Sequence, residues 1–266
     1  MNLRNTVLKS LNELEENNSI NHYNKISESY DSVLESIYGD LIVRNSFHQS
    51  VEKKLNHNDV ILDFGCGTGL DSYYFASKGF KVHCFDNSPG MLIKVQQKYS
   101  DFINDGKIKI IDENYSEFIS RDAGEKYRII ILNFAVINTI PDPGLFFDRI
   151  KNHITMDGYL FVSALNPYYM KSLTSFSNWK RLFVNFNNGF YDMKNDRLNV
   201  RVYYPQKIKS ISSRFFRIDG QISPAWLIKY NSQSNNKMME KIDNTFGNLY
   251  PFNRLGKFVF YVFRAK

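Results

Sequence analysis

The chain has 266 residues, 43 % of them hydrophobic and 23 % charged, a make-up that excludes a disordered polypeptide and fits an ordinary globular protein. Its 34 basic and 27 acidic residues leave a net charge of +7. The basic residues are spread along the chain, which suits a lysine-rich surface better than a nucleic-acid stripe. Two cysteines, Cys66 and Cys84, exclude a disulfide framework and a CxxC metal site, so a reduced, cytoplasmic setting is expected.

The N-terminal stretch MNLRNTVLKSLNELEENN places Leu3, Val7, Leu11 and Leu14 at helical spacing. It predicts an amphipathic helix rather than the continuous apolar segment of a signal peptide. A polar break follows in NNSINHYN, then a helical stretch with Val43, Phe47, Val51 and Leu55 on one face, ended by residues 56–59. No apolar run is long enough to cross a bilayer. From residue 60, short β-branched runs alternate with helical ones. Strands are predicted over Val60–Phe64, Phe80–Phe85, Ile108–Ile111, Arg128–Asn133 and Tyr159–Ser163, with helices near 70–78, 89–100, 115–120 and 143–154. That alternation predicts a three-layer α/β sandwich with a mostly parallel, Rossmann-like sheet.

Beyond Asn166 the alternation fails. Residues 165–206 hold ten aromatics, above the 15 % of the whole chain, and read as an insertion over one sheet edge. RFFRIDGQIS and LGKFVFYVFRAK read as two further strands, separated by a helix near 232–245. The expected organisation is one domain over 1–266: a helical cover (1–56), a core (57–164), the insertion (165–206) and the last strands of a seven-stranded sheet (207–266).

The stretch VILDFGCGTGL ends its strand in glycines at 65, 67 and 69. Glycine reaches backbone angles closed to other residues and lets a ligand approach the main chain. A buried parallel strand ends at the edge where doubly wound folds bind ligands. The dinucleotide pattern G-x-G-x-x-G fails at Leu70, and no lysine follows for a phosphate-cradling loop.

ILDFGCGTG instead resembles the first motif of class I S-adenosylmethionine-dependent methyltransferases, matching at Asp63, Gly65, Gly67 and Gly69, with Cys66 inside the turn. The resemblance implies S-adenosyl-L-methionine as cofactor, held at its methionine end by this turn. Asp86 stands 21 residues after Gly65, where an acidic residue accepts from ribose hydroxyls, and Asn87 and Met91 fall where the family lines the ribose and adenine. Asn114 and Tyr115 take the adenine positions after the third strand, with Asp112 one register away. Asn133 and Phe134 match the fourth motif, which faces the sulfonium. In similar enzymes an N-terminal segment closes over the cofactor, which implies Tyr30 on the methionine end and Arg44 on its carboxylate.

The implied reaction is an in-line attack on a methyl group, helped by alignment and exclusion of water. A base serves a hydroxyl nucleophile more than a neutral amine. His22, next to Tyr23 in the cover, and His48, one turn from Arg44, are the candidates for that role, with Tyr23 beside them. His57, His83 and His153 read as structural, His153 at a helix end where its charge suits the dipole. The aromatic insertion is expected to act as a substrate lid, with Tyr168, Tyr169 and Tyr203 as contacts. The leading expectation is a methyltransferase acting on oxygen or nitrogen of a small organic molecule. The alternatives are an RNA or DNA methyltransferase, and a cofactor-binding module without catalysis.

Overall fold

Alternating β-branched and helical segments build five strands in succession: β1 (Val60–Phe64), β2 (Lys81–Phe85), β3 (Ile108–Ile110), β4 (Tyr127–Leu132) and β5 (Ile154–Leu165). A hairpin of β6 (Phe190–Asn195) and β7 (Leu198–Tyr203) follows, then β8 (Phe216–Ile222) and β9 (Phe258–Ala265). The structure is a computed structural model that describes residues 3–35, 37–121, 124–174, 176–195, 198–227, 237–247 and 249–266. Among the described residues, seven strands form one sheet in the order β3-β2-β1-β4-β5-β9-β8, and β6 pairs with β7 apart from it. β1 to β5 pair in parallel, and β9 runs antiparallel between β5 and β8.

The helices before the sheet are α1 (Leu3–Ile26), α2 (Tyr30–Glu35) and α3 (Tyr38–Glu52). Those between its parallel strands are α4 (Leu70–Ser77), α5 (Pro89–Lys98), α6 (Ser100–Asn104), α7 (Tyr115–Ser120) and α8 (Pro143–Ile150). The later ones are α9 (Phe176–Asn185), α10 (Pro205–Ser212) and α11 (Lys237–Phe246). Both faces of the sheet are covered, and side chains alternate across it. Ile130 and Leu132 of β4 pack with Phe118 and Phe146 on one face. Ile129 and Ile131 pack with Val43, Phe47 and Phe75 on the other. The strand is apolar throughout because neither face meets water.

The strand and helix order follows the sequence expectation, with the helix expected near 89–100 divided into α5 and α6 and four further differences. First, α1 runs unbroken to Ile26 through the polar stretch read as a break. Ser19 and Tyr23 there face a cavity and Asn24 bonds to the start of a neighbouring helix, as described below, so tertiary contact overrides weak propensity. Leu14, expected on the apolar face, is 57 % exposed. Second, the next helical stretch is two helices, α2 and α3, with Ile37 in extended backbone at the start of the second. Third, β5 begins at Ile154, five residues before the expected start, because Ile154 already pairs with Tyr127 across an irregularity in the ladder. Fourth, His153 is fully buried against Phe118, ring centroids 4.6 Å apart. Burial, with Arg121 nearby, pushes its imidazole down to about 4, so it is neutral near pH 7 and no charge meets the helix dipole. The last helix begins at Lys237; the earlier part of its expected span lies outside the described residues. Among the described residues no helix is long and apolar enough to cross a membrane.

Candidate functional site

The carboxyl ends of β1 and β2 lie in register, Phe64 opposite Phe85. The chain then turns, and the backbone N–H groups of Gly65 and Cys66 both donate to the Phe85 carbonyl, at 2.7 and 3.0 Å. This brings the glycine turn against Asp86. Asp86 Oδ2 accepts from the Gly67 N–H and Oδ1 from the Ser88 N–H, both at 2.8 Å. The carboxylate therefore shapes the loop as well as facing the space above it. Burial pushes it up to about 6, with those two N–H groups pulling the other way.

Gly65, Gly67 and Gly69 all have positive φ, at 78, 55 and 82°. A Cβ on Gly65 would stand 2.6 Å from Val136, and one on Gly69, which starts α4, 3.0 Å from Val95. These two glycines are required by both angle and packing. A Cβ on Gly67 would meet nothing nearer than the Tyr30 ring, at 3.7 Å. Gly67 is where the bare main chain opens onto free space.

That space is an open cavity of about 980 Å³, its mouth included. It sits at the carboxyl edge of the sheet. Its floor is the glycine turn with Asp86, Asn87, Met91 and Tyr115, and its far wall is the loop after β4, from Asn133 to Pro141. Its roof is α1, which presents Glu16, Ser19, Ile20 and Tyr23 at one helical face. Three residues of α1 hold the roof down. Glu16 Oε1 accepts from Asn87 Nδ2 at 2.9 Å. Asn24 Oδ1 accepts from the Ser88 hydroxyl at 2.7 Å and from the Gly90 N–H at 2.9 Å. Glu15 accepts from Asn199 of β7 at 2.9 Å. Asp31 accepts from the Thr68 hydroxyl and from Lys98 Nζ, which ties α2 to the glycine turn and sets Tyr30 above it.

A second polar centre lies at the other end of the cavity. Asp71, in the first turn of α4, accepts from Arg44 Nη1 at 2.5 Å and His48 Nε2 at 2.6 Å on Oδ1, and from Asn133 Nδ2 at 3.0 Å on Oδ2. Burial alone would raise Asp71; Arg44 and His48 overcome it and hold the carboxyl below the usual range. Arg44 is raised in turn, and its guanidinium lies 4.3 Å over the Phe134 ring. Asp63 stands behind this group, accepting from the Ser72 hydroxyl at 2.6 Å. Burial and the neighbouring Asp71 push Asp63 up. Phe134 and Ala135 both take left-handed backbone, φ 51 and 67°, a strained conformation that such sites retain when the surroundings fix it. Here Asn133 Oδ1 accepts the Phe134 N–H at 2.9 Å, and Ser163 O accepts the Ala135 N–H at 3.0 Å.

The structure thus gathers Tyr30, Arg44, Gly65, Cys66, Gly67, Asp86, Asn87, Met91, Tyr115, Asn133 and Phe134 around one cavity. Asp63 and Gly69 support it from behind. Asn114 does not face it: its side chain caps α7 by accepting from the Glu117 N–H at 2.9 Å. Asn114 and Asp112 both line a neighbouring groove along the β3 edge, which adjoins the cavity at Asp86 and Asn87. The Tyr115 N–H donates to Asn87 Oδ1 at 2.9 Å. Of the candidates for a base, Tyr23 lines the cavity, while His22 and His48 do not. Burial, with Asp86 nearby, pushes the Tyr23 phenol up to about 12, so it is a hydrogen-bond donor near neutrality. His48 is committed to Asp71 and stacked on Tyr74, centroids 3.7 Å apart.

Tyr168, Tyr169 and Tyr203 lie away from this cavity. At Asn166 the chain is pinned towards the far end of the sheet, where Nδ2 donates to Arg254 O at 2.8 Å and Gly256 O at 2.7 Å. Tyr168 lines a small separate pocket with Lys209 and Arg254, and Tyr203 is buried in the core. The insertion reaches the site indirectly. Asn138 Nδ2 donates to Arg201 O at 2.6 Å, and Arg201 Nη1 donates to Pro141 O at 3.3 Å. The β6–β7 hairpin therefore braces both the cavity loop and, through Asn199, the roof. Sequence reading missed Asp71, although it stands two residues past the last glycine, and missed Glu16, Ser19 and Ile20, which follow helical spacing from Tyr23.

Comparisons with known proteins agree with this architecture. A family model described as a methyltransferase domain matches residues 30–205. The chain is 29 % identical over 127 residues to a ubiquinone biosynthesis O-methyltransferase of Azorhizobium caulinodans, covering 48 % of each chain. It thus spans about half the length of the curated relative it matches. Among solved structures it is similar to 1,6-didemethyltoxoflavin-N1-methyltransferase of Burkholderia thailandensis, solved with bound 1,6-didemethyltoxoflavin and S-adenosylhomocysteine (TM-score 0.57, 13 % identity, 94 % of this chain and 88 % of that one). It is also similar to an S-adenosylmethionine-dependent methyltransferase of Clostridium acetobutylicum (TM-score 0.55, 15 % identity, 91 % and 98 %). At these identities the structural likeness concerns the fold.

Proposed function

Since the chain belongs to the methyltransferase-domain family, we infer that it moves the methyl group of S-adenosyl-L-methionine to an oxygen or nitrogen of a small organic molecule. The observation that carries this reading is one cavity in which bare glycine backbone, Asp86 and Arg44 face a common space. The donor set fits the cofactor. Gly67 leaves room for close approach to the main chain, with the nearest atom to a Cβ there 3.7 Å away. Asp86 offers acceptor lone pairs to a vicinal diol, and Met91 and Tyr115 offer apolar surface for a base. Arg44, fixed by Asp71, offers a cation to a carboxylate.

When bound, S-adenosylmethionine supplies a methyl group already activated on a sulfonium. The chain's own residues then bind and align. Tyr30 and Phe134 wall the methionine end and exclude water. The rigid Asn133–Ala135 turn sets the distance between donor and acceptor. Holding two reactants in line supplies roughly 7–11 kcal/mol of a barrier, so no elaborate catalytic set is required. The acceptor lies between α1 and the loop after β4, against Ile20, Val136 and Ile140, with the Ser19, Tyr23 and Thr139 hydroxyls as polar contacts. The insertion tyrosines are not part of this reading of the acceptor site.

The test is incubation of the protein with methyl-labelled S-adenosylmethionine and a metabolite extract, followed by mass spectrometry. Label in a small product is expected. Label in nucleic acid would move the substrate class, and tight cofactor binding without transfer would leave a binding module.

A further inference from the structure

Helix α9 carries apolar side chains at Phe176, Trp179 and Phe183, one helical stripe, with Val184 beside it. Buried helices explain such stripes by packing. Here the stripe points outward: Phe176 is 86 %, Phe183 73 % and Val184 67 % exposed. The helix is fastened by its opposite side, where Leu182 is buried and its carbonyl accepts from the Tyr204 hydroxyl at 2.6 Å. Trp179 stacks on Phe183, centroids 5.9 Å apart, and its indole N–H is satisfied by the Leu173 carbonyl at 2.5 Å. Exposed contiguous apolar surface of this kind marks an interaction site.

The charge around the stripe selects the partner. Lys180 is exposed within the stripe, and Arg181 is exposed on the same helix. From Gly158 to Tyr191 the chain has no acidic residue at all, while Lys171, Lys180 and Arg181 are basic. An aromatic stripe interrupted by a lysine, in an acid-free segment, matches a helix lying in the plane of an anionic bilayer surface. A nucleic-acid duplex would reward a row of phosphate contacts rather than protruding phenyl rings. We propose that α9 docks this protein on the surface of membranes containing anionic lipid, with Phe176 and Phe183 entering the acyl boundary and Lys180 meeting headgroups. The helix belongs to the insertion whose hairpin braces the cavity loop and the α1 roof, and among the described residues no helix is long and apolar enough to cross the bilayer.

The test is co-sedimentation of the full chain with sucrose-loaded vesicles of pure phosphatidylcholine and of phosphatidylcholine with 30 % phosphatidylglycerol (roughly the anionic share at which basic helices bind well). Binding to the anionic vesicles is expected, weakened by salt. Phe176→Ser with Phe183→Ser should lower partitioning by about 100-fold or more, and Lys180→Gln by about fivefold. Thermal midpoint and S-adenosylhomocysteine affinity should be unchanged in both, since none of these side chains touches the core or the cavity. Three results would overturn the proposal: no sedimentation with either vesicle; sedimentation that the double Phe variant leaves intact; or loss, in that variant, of a concentration-dependent dimer or of oligonucleotide binding in place of vesicle binding.

Discussion

Asp71 is the residue whose removal tests the site's architecture most severely. It takes three hydrogen bonds in a buried setting, from Arg44 at 2.5 Å, His48 at 2.6 Å and Asn133 at 3.0 Å. Asp71→Ala leaves the Arg44 guanidinium buried with no carboxylate, and leaves the Asn133 amide and His48 ring without their acceptor. Removing one partner of a buried ion pair costs about 3–5 kcal/mol, because the remaining charge is uncompensated. The three contacts belong to one network, so their separate values do not add. At roughly 2–4 °C per kcal/mol for a chain of this size, the midpoint should fall by about 6–20 °C. The measurements are thermal unfolding for the midpoint and denaturant unfolding, with the slope compared between variants, for the free energy. A double variant, Arg44→Met with Asp71→Leu, should recover part of the loss, since apolar replacement of a whole buried pair is often close to neutral. A second readout separates aim from folding. Asp71→Ala should weaken S-adenosylhomocysteine by more than it weakens methylthioadenosine, which lacks the carboxylate assigned to Arg44. A loss of stability below about 1 kcal/mol, well under the buried-pair cost, or equal effects on the two ligands, would refute the reasoning.

Gly65→Ala forces an alanine to φ 78° and a Cβ to within 2.6 Å of Val136, so cofactor affinity should drop at least about tenfold by calorimetry; Gly67→Ala, with 3.7 Å to its nearest neighbour, should cost stability only the roughly 1–2 kcal/mol of the left-handed backbone, while its methyl group, standing in the space assigned to the cofactor, should weaken cofactor binding as well. Asp86, pushed up to about 6 mainly by burial, accepts from sugar hydroxyls best when ionised, so S-adenosylhomocysteine affinity should fall as pH drops from 8 through 6 to 5, and titrations at those values check it. The same raised value means that burying the ionised carboxylate costs stability above about pH 6, a cost relieved as pH falls from there towards 3.8. His153 has the opposite linkage. Its folded value of about 4 lies below the 6.5 of the unfolded chain, so stability is lost as pH falls through that window, and His153→Leu should flatten the unfolding free energy there.

The strand and helix order was readable because both faces of this sheet are buried: Ile129 to Leu132 are apolar without interruption, and the crossover helices α5 and α8 begin with the side-chain caps Ser88 and Asp142. The glycine turn was readable because three positive φ angles leave little choice of residue. The roof was misjudged because its polar residues have weak helical preference alone. Asn24 and Glu16 gain their partners, Ser88, Gly90 and Asn87, only when α5 stands beside them. Asp71 was invisible for a related reason. An acidic residue in a first helical turn always suits the helix dipole, and nothing local reveals that Arg44, His48 and Asn133 converge on it. The insertion was found by its aromatic content, but composition cannot distinguish residues that wall a cavity from those that brace the wall, and Asn138 and Arg201 decide that here.

The most direct measurement is isothermal titration of the purified wild-type chain with S-adenosylhomocysteine and, separately, with NADH. A saturable one-site heat with the first and none with the second is the predicted result. Silence with S-adenosylhomocysteine together with tight NADH binding would contradict the assignment of the cavity above Gly67 and Asp86.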